Sequence, residues 1–450
     1  MIDPVPVRVW RGIPFARLAH AFAAPELVVG AAMPEPGGAF GPAPAQREIP
    51  GFDLPGGQSS TDCLTLNVWA PDGAADLPVA VWIFGGGFEV GTAGTPWFDG
   101  EALAQAAGCV VVTVNYRVGA FGFAHLSRHG GALAAAHDLG LQDVRAALRW
   151  VDRAVAGFGG DPGRVTVIGQ SAGAFLAAAA AVAPDEPRPR AIACFSGGAS
   201  RIVGEADAAA FGDAILARLG IADDPDAIVT TDAAAIIAAQ EAVAPRDLGV
   251  RNGLRPVGFG VAADTGADAP LVPQHPLDAI AGGALAGTFV LAAAGTDEMD
   301  GFDPAAVPPL EGGLADAVAA LAGPDAAALA VAYTDSDPAA AWRRVLGDYI
   351  YRLPAARMVR AQQAAGGHAA YLEIGHEGAV AGGHGVEVPG IFARGDDERS
   401  RAVQRTVVEL IRTGRVNGGD LAQPLSAGEV PATSLAPEAL LAVWEGVARP

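Results

Sequence analysis

A serine with a glycine two residues before it and another two residues after it is the strongest chemical signal in this sequence. Ser171 lies in Gly169-Gln170-Ser171-Ala172-Gly173, directly after the apolar run Val165–Ile168. Glycines at these two positions permit a sharp strand-to-helix turn, because a Cβ at either one would collide with the neighbouring element. The start of the following helix offers free N–H groups and the positive end of a dipole. The motif alone is weak, so its interpretation as a nucleophile depends on this strand–turn–helix context.

A cluster of three glycines, Gly85–Gly87, follows a second apolar run that ends at Phe84. Consecutive glycines leave backbone N–H groups open to a site, and an acyl-transfer enzyme needs such donors facing its oxyanion. A dinucleotide-binding loop is the rival interpretation. It requires a final Gly or Ala where this chain has Val90, and an acidic residue near the end of the next strand, where it has Asn115. The pattern therefore favours an oxyanion-binding loop.

The elements that must position these groups are predicted from apolar, β-branched runs. Runs at Pro78–Phe84, Val110–Asn115, Val165–Gly169 and Thr288–Ala293 are typical of strands buried on both faces of a parallel sheet. Helical patterns at 138–156 and 171–182 separate them. Strands alternating with helices predict an α/β fold with a mostly parallel sheet. The Ala- and Asp-rich stretches 205–244 and 314–353 predict helical cap insertions over it.

Composition narrows the class of protein without indicating a reaction. The 450 residues carry 29 basic and 50 acidic side chains, a formal charge of −21, and 51% are hydrophobic. Such a chain is neither disordered nor suited to bind nucleic acid, because its net charge would repel a polyanion. All of the basic residues are Arg, which together with abundant Ala and Gly is typical of a GC-rich genome. We expect a bacterial source.

Cysteine usage and hydropathy indicate the compartment. Cys63, Cys109 and Cys194 are too few and too widely spaced for a disulfide framework, and they lack the CxxC spacing of a zinc site. No signal-peptide pattern begins the sequence, and no window approaches the roughly 20 apolar residues of a membrane span. We therefore expect a cytoplasmic, reduced protein with no membrane partner.

Beyond these patterns, the chain resembles the type B carboxylesterase family, whose members have the α/β-hydrolase fold. The resemblance runs through most of the sequence in family order. Its motifs are Arg11–Phe15, Thr61–Trp69, Gly85–Gly87, Phe98–Gly100, Asn115–Phe123, Leu139–Trp150, Phe158–Pro162, Gly169–Gly173, and Gly383-His384 with Glu387–Pro389. The resemblance implies one catalytic domain over residues 1–450, with cap-like insertions at about 200–285 and 302–362.

The resemblance also implies the roles of the nucleophile, the oxyanion donors and the base. Ser171 would be the nucleophile, and the backbone N–H groups of Gly86, Gly87 and Ala172 would bind the oxyanion. The base would be His384, which lies in the family motif after the apolar run 369–374; His376 is the runner-up.

The family's acid follows a late strand in a G-T-x-x-D-E-G pattern. Gly295–Gly301 fits this pattern without gaps and puts Asp300 where the family usually has Glu; Glu298 is the alternative. An Asp can hold the His tautomer as a Glu does. The order Ser171, Asp300, His384 agrees with that of α/β-hydrolases.

The sequence departs from the family's pattern at several positions near the site. Gln170 stands where Glu is commoner, and Phe84 where His is often found before the glycines. The family's disulfide partner for Cys63 is absent, so we expect a buried thiol there. The aromatic residues Phe88, Trp97 and Phe175, with Phe98, are candidates for lining the substrate pocket, although core packing explains each equally well.

These residues together predict a serine carboxylic-ester hydrolase that acts on neutral small-molecule esters through an acyl-enzyme. The mechanism requires no metal or organic cofactor. A carbamate, amide or lactone hydrolase with the same triad is one alternative, and a non-catalytic cholinesterase-like binding protein is another. An acidic surface should disfavour polyanionic substrates. The sequence leaves open whether the protein is a monomer or a dimer.

Overall fold

A nine-stranded sheet forms the centre of the molecule. A computed structural model describes residues 5–30, 34–48, 54, 59–243, 259–263, 271–302, 307, 309–310, 312–333 and 337–447. The strands are β1 (Val7–Pro14), β2 (Thr65–Pro71), β3 (Leu77–Ile83), β4 (Val110–Val114), β5 (Gly160–Gln170), β6 (Ala191–Phe195), β7 (Phe289–Gly295), β8 (Ala369–Ile374) and β9 (Leu425–Ala427).

The strand order is β1-β2-β4-β3-β5-β6-β7-β8-β9. Strand β2 pairs antiparallel with both of its neighbours, and the pairs from β4 to β9 are parallel. Nearly every residue of β3, β4 and β6 is buried, as the Val- and Ala-rich runs predict for strands covered on both faces. The predicted α/β-hydrolase architecture is therefore confirmed.

Helices connect the parallel strands, and one more helix comes after the last strand. They are α1 (Glu101–Ala107), α2 (Gly119–Phe123), α3 (Leu139–Ala154), α4 (Ala172–Ala181), α5 (Glu205–Leu219), α6 (Ala233–Val243), α7 (Pro276–Ala281), α8 (Leu314–Ala322), α9 (Pro338–Gly347), α10 (Leu353–Ala364), α11 (Val388–Ile391), α12 (Glu398–Thr413) and α13 (Pro437–Val443). A π-helical turn, Asp348–Arg352, joins α9 to α10. Short 3-10 turns lie at Pro96–Phe98, Ser127–His129, Gly131–Leu133, Val155–Phe158, Pro225–Thr230, Glu298–Gly301 and Pro324–Ala332.

Three two-stranded ribbons lie outside the main sheet. They pair Ala16–Arg17 with Glu26–Leu27, Ala43–Pro44 with Ser59–Ser60, and Ile202–Val203 with Val261–Ala262. The two stretches expected to form cap insertions contain α5 to α7 and α8 to α10. Parts of both stretches, residues 244–258, 264–270, 303–306, 308, 311 and 334–336, lie outside the described residues.

A continuous hydrophobic core runs from Trp10 in β1 to Trp444 after α13. Helix α4 packs against β5 and β6 on one side and against α3 on another, and all ten of its residues are buried, which explains why its sequence is apolar on every face. Cys63, Cys109 and Cys194 are buried and free, so the expectation of a buried thiol at Cys63 is confirmed. In the part of the chain that the structure covers, the helices are too short or too polar to cross a membrane.

Candidate active site

Ser171 sits at the turn between β5 and α4 in a strained backbone conformation. Its φ of 54° and ψ of −124° lie in a region that residues with a Cβ rarely adopt, at a typical cost of about 1–3 kcal/mol. The turn is held from both sides, since the Ser171 N–H donates to the Phe195 carbonyl at the end of β6 and the Ser171 carbonyl accepts from Ala174 N–H. The predicted strand–turn–helix context is present.

The glycines flanking Ser171 are required by close backbone contacts. A Cβ on Gly173 would lie 2.1 Å from the Ile83 carbonyl oxygen, at the end of β3. A Cβ on Gly169 would lie 2.2 Å from the Gly173 carbonyl oxygen. Both distances are far below van der Waals contact, so any side chain at these positions would push the turn away from the sheet.

The glycine loop after β3 lies against this turn. A Cβ on Gly85 would lie 2.9 Å from the Cβ of Ser171. Gly86, Gly87 and Phe88 have φ values of 134°, 63° and 66°, so three successive residues have a positive φ. Among the described residues, the Gly86 and Gly87 N–H groups donate no hydrogen bond within the protein.

Ala172 adds a third free donor, because it is the first residue of α4 and has no carbonyl one turn earlier in the helix to accept its N–H. Gln46 and Tyr116 fix the glycine loop: the Gln46 carboxamide bonds to both the N–H and the carbonyl of Gly91, and the Tyr116 hydroxyl donates to the Phe84 carbonyl at 2.7 Å. No local pattern in the sequence indicated these two contacts.

His384 lies in the loop between β8 and α11 and is paired with a carboxylate. Its Nδ1 is 2.6 Å from Oε2 of Glu298, and its N–H donates to the Glu298 carbonyl. Because a carboxylate only accepts hydrogen bonds, Nδ1 carries the proton and Nε2 keeps its lone pair. Gln170, the residue before Ser171, brings its Nε2 within 3.3 Å of His384 Nε2. The base-competent nitrogen therefore faces the turn that carries Ser171.

The acid position requires a correction, because Glu298 and not Asp300 contacts His384. The Glu298 side chain is fully buried, and its second oxygen accepts from Gly295 N–H at 2.7 Å. The Asp300 side chain is 47% exposed and lies 3.8 Å from Arg343. Glu298 and Asp300 lie in one 3-10 turn, in which residues two apart point to different sides. Burial, reinforced by the charge of Asp297, raises the pKa of Asp300.

The runner-up histidine forms a separate pair. His376 Nε2 lies 2.7 Å from Oδ2 of Asp297, whose side chain also accepts from the Thr296 hydroxyl. The three carboxylates of the Gly295–Gly301 loop thus have three different partners: His376, His384 and Arg343. Of these three pairs, only the one between Glu298 and His384 has a fully buried carboxylate, and it lies near the turn that carries Ser171.

A further carboxylate, Glu387, lies three residues after His384, at the start of α11. It belongs to a family motif in the sequence, but the motif alone predicts no role for it. It is completely buried, and its Oε1 accepts from the Ser196 hydroxyl at 3.4 Å. Burial and the nearby charge of Glu298 raise the pKa of Glu387 to about 7, although the His384 ring acts in the opposite direction. The site therefore holds two neighbouring carboxyl groups with different surroundings.

A cavity of about 730 Å³ opens in front of His384. Trp97 and Phe98, two of the aromatic candidates, line it together with Gly85, Gly86, Val90, Gly91, Pro96, Gln170, His384, Gly385, Val388, Pro389 and Arg394. Phe88 and Phe175 are not on this wall. They are buried and stack on each other with ring centroids 6.3 Å apart, and Phe88 also packs edge-on against Phe123. Core packing accounts for both.

Metal-ligating side chains are not clustered in the described ranges: no group of three or more His, Cys, Asp or Glu is placed to hold an ion. The chemistry available at the site is that of a strained serine, a histidine with one unprotonated ring nitrogen, a buried carboxylate and backbone N–H donors. This arrangement suits nucleophilic attack on a carbonyl with stabilisation of the resulting oxyanion.

Comparison with known proteins agrees with this geometry. A family profile described as "Carboxylesterase family" matches residues 2–301. The para-nitrobenzyl esterase of Bacillus subtilis (strain 168) is 35% identical over 308 residues, which are 65% of this chain and 59% of that protein. The fumonisin B1 esterase of Sphingopyxis macrogoltabida is 50% identical over 121 residues, 26% of this chain and 22% of that protein. The chain thus matches less than two thirds of the length of these relatives.

Solved structures match over more of the chain. A structure titled PNB esterase superposes with a TM-score of 0.79 at 31% identity, covering 92% of this chain and 88% of the other. A Geobacillus stearothermophilus carboxylesterase gives a TM-score of 0.77 at 27% identity, covering 94% and 90%. With a family profile over two thirds of its length and these neighbours, the chain belongs to the carboxylesterase family.

Proposed function

We propose that the protein is a serine carboxylic-ester hydrolase that acts on small-molecule esters, with Ser171 as nucleophile, His384 as base and Glu298 as the acid. The observation that carries the proposal is the 2.6 Å contact between His384 Nδ1 and the buried carboxylate of Glu298. This contact leaves His384 Nε2 as the hydrogen-bond acceptor. That nitrogen lies 3.3 Å from Nε2 of Gln170, the residue before Ser171. The strain at Ser171 supports its role as nucleophile.

In the proposed reaction, His384 Nε2 takes the Ser171 hydroxyl proton while Oγ attacks the ester carbonyl. The carbonyl oxygen becomes an oxyanion that accepts hydrogen bonds from the N–H groups of Gly86, Gly87 and Ala172. Collapse of the tetrahedral species breaks the bond to the alcohol oxygen, which receives the proton from His384. In the second half, His384 Nε2 takes a proton from water while the water oxygen attacks the acyl carbonyl. Collapse of this second tetrahedral species releases the carboxylic acid, and Ser171 Oγ receives the proton from His384.

The substrate class follows from the cavity in front of His384. Its volume of about 730 Å³ and its mainly apolar wall suit a neutral ester group with an apolar substituent. Nitrophenyl and nitrobenzyl esters are the appropriate probes, given the para-nitrobenzyl esterase relative. A panel of esters, carbamates, anilides and lactones with matched leaving groups would determine which bond this site cleaves fastest.

The nucleophile is tested with p-nitrophenyl acetate and a fluorophosphonate label. We expect Ser171→Ala to retain less than about 1% of kcat, because loss of a triad serine typically costs several orders of magnitude. Ser426→Ala, on the exposed part of β9, is the matched control and should keep full activity. Covalent labelling of wild type at Ser171 supports the proposal. An unlabelled wild-type protein that turns over no ester would instead support a non-catalytic binding protein.

The proposal extends to organisation and location. One core that runs from Trp10 to Trp444 supports a single catalytic domain. The three buried, free thiols support a reducing compartment such as the bacterial cytoplasm. Localising the protein with an antibody in fractionated cells tests the second point.

A further inference from the structure

Arg394 is the one charged side chain other than the titratable His384 among the described residues that line the cavity in front of His384. The rest of the wall is glycine backbone and apolar or neutral side chains, and no carboxylate is among these lining residues. Arg394 is an exposed residue, so its apolar stem lies on the cavity wall while its charged group meets solvent, where an anionic group of a ligand can reach it.

The backbone holds Arg394 in place through an unusual turn. Ala393 has a φ of 56°, a left-handed conformation that favours glycine at the end of a helix. The Arg394 N–H then bonds to the Pro389 carbonyl at 2.8 Å and closes the turn after α11. A left-handed alanine is strained by its Cβ, and strained residues of this kind cluster at functional sites.

The Arg394 side chain is bonded to another residue of the cavity wall, Pro96. Its Nη1 donates to the Pro96 carbonyl at 2.5 Å, beside Trp97 and Phe98. Within the described residues no carboxylate pairs with it, whereas Arg343, Arg401 and Arg405 on neighbouring helices all have acidic partners. The Nε and Nη2 donors of Arg394 remain available to a ligand.

We propose that Arg394 is a specificity-determining residue that binds a carboxylate of the ester substrate, away from the bond that is cleaved. The inference rests on the proposed esterase function and deepens it. A planar guanidinium with two free donors matches a carboxylate in geometry and charge. The carboxylate belongs to the acyl part or to the alcohol part of the ester, and both sources present the same chemistry to Arg394.

Two pairs of substrates separate these sources. The acyl-side pair is mono-4-nitrophenyl adipate and its neutral analogue, in which a carboxamide replaces the free carboxylate. The alcohol-side pair is 4-acetoxybenzoate and 4-acetoxybenzamide. The quantity measured is the ratio of kcat/KM for the anionic ester to that for the neutral one. Comparing this ratio between protein variants cancels differences in leaving group.

Three variants make the test specific. Arg394→Gln keeps a donor for the Pro96 carbonyl but removes the charge, and Arg394→Lys keeps the charge without the planar fork. Arg401→Gln removes the same charge from α12, outside the cavity wall. We expect Arg394→Gln to lower the anionic-to-neutral ratio about tenfold for one of the pairs, because a charged hydrogen bond is lost. Arg394→Lys should keep part of the ratio, and Arg401→Gln nearly all of it.

A binding measurement keeps this proposal distinct from the proposed function. Adipic acid monoanilide and 4-acetamidobenzoate carry the carboxylate but no ester, so calorimetry with them reports recognition even if no ester is hydrolysed. Weaker binding of either to Arg394→Gln, together with the lower ratio, supports the proposal. Equal losses for anionic and neutral esters would overturn it, because Arg394 would then only hold the Pro96 rim. An unchanged ratio for both pairs would overturn it as well.

Discussion

A carboxylate oxygen of Glu298 lies 2.6 Å from Nδ1 of His384, inside the protein and shielded from water. This contact fixes the proton on Nδ1, and in the proposed mechanism Glu298 would stabilise the imidazolium that forms when the ring accepts a proton at Nε2. Asp300, two residues along the same loop, faces Arg343 at the surface instead. The different partners of these two acids lead to a first prediction.

Glu298→Gln should lower kcat for p-nitrophenyl acetate by about 10³–10⁴, since a carboxamide cannot stabilise the imidazolium and can donate a proton to Nδ1, which favours the wrong tautomer. Asp300→Asn is the matched control from the same loop and should change kcat less than about threefold. Steady-state kinetics of both variants decides the assignment. A larger loss in Asp300→Asn than in Glu298→Gln would return the acid role to Asp300.

The acidic loop also shows how far sequence reasoning reaches. The strand–turn–helix around Ser171 is predictable because its apolar strand, its two glycines and its helix are contiguous in the chain. The loop Gly295–Gly301 contains three carboxylates within four residues, and nothing local decides which one points inward. Glu298 and Asp300 take different partners because the 3-10 turn directs them to different sides, and Asp297 precedes that turn in a non-helical conformation.

Contacts between distant parts of the chain are likewise absent from local patterns. Gln170 meets His384 across 214 positions, and Arg394 meets Pro96 across 298. The sequence identifies each residue type, but only the sheet order brings them to one edge. The parallel strands themselves were predictable, because a strand that is buried on both faces must be apolar at nearly every position.

The Gln170 side chain contacts the unprotonated Nε2 of His384 at 3.3 Å, and this contact leads to a second prediction. Gln170→Glu would place a negative charge beside the ring and favour its protonated form, which cannot act as a base. The acidic limb of the pH profile of kcat/KM should therefore move to higher pH. Gln105→Glu adds the same charge at an exposed position on α1 and should leave the limb in place. A profile that is identical in Gln170→Glu and wild type would contradict a direct contact.

Gly173 provides a prediction about the turn that carries Ser171. In Gly173→Ala the new Cβ would lie 2.1 Å from the Ile83 carbonyl oxygen and 2.5 Å from that of Phe84, so the elbow must move away from β3. We expect the free energy of unfolding to fall by about 3 kcal/mol, the upper end for overpacking, and kcat to fall at least a hundredfold. Gly204→Ala, where the nearest atom is 3.7 Å away and φ is −63°, should change both quantities little. Urea unfolding with parallel kinetics measures them, and a wild-type kcat in Gly173→Ala would show that the turn tolerates the shift.

Glu387 predicts how stability depends on pH. Burial and the charge of Glu298 raise the pKa of Glu387 from 4.5 to about 7, so the folded protein favours the protonated carboxyl more than the unfolded chain does. The contribution of Glu387 to stability is therefore fully present below pH 4.5 and is lost as pH rises through 7, by about 3 kcal/mol in total. Glu387→Gln keeps the shape of the side chain and removes its titratable group.

The stability of wild type relative to this variant should fall between pH 5 and pH 8 and level off above that. Urea unfolding at each pH measures the difference, and Glu377→Gln, at a partly exposed position in the same β8–α11 loop, is the control. A difference that stays constant with pH would contradict this prediction, because Glu387 would then already be ionised in the folded protein at pH 5. Other donors besides the Ser196 hydroxyl would have to stabilise that buried anion.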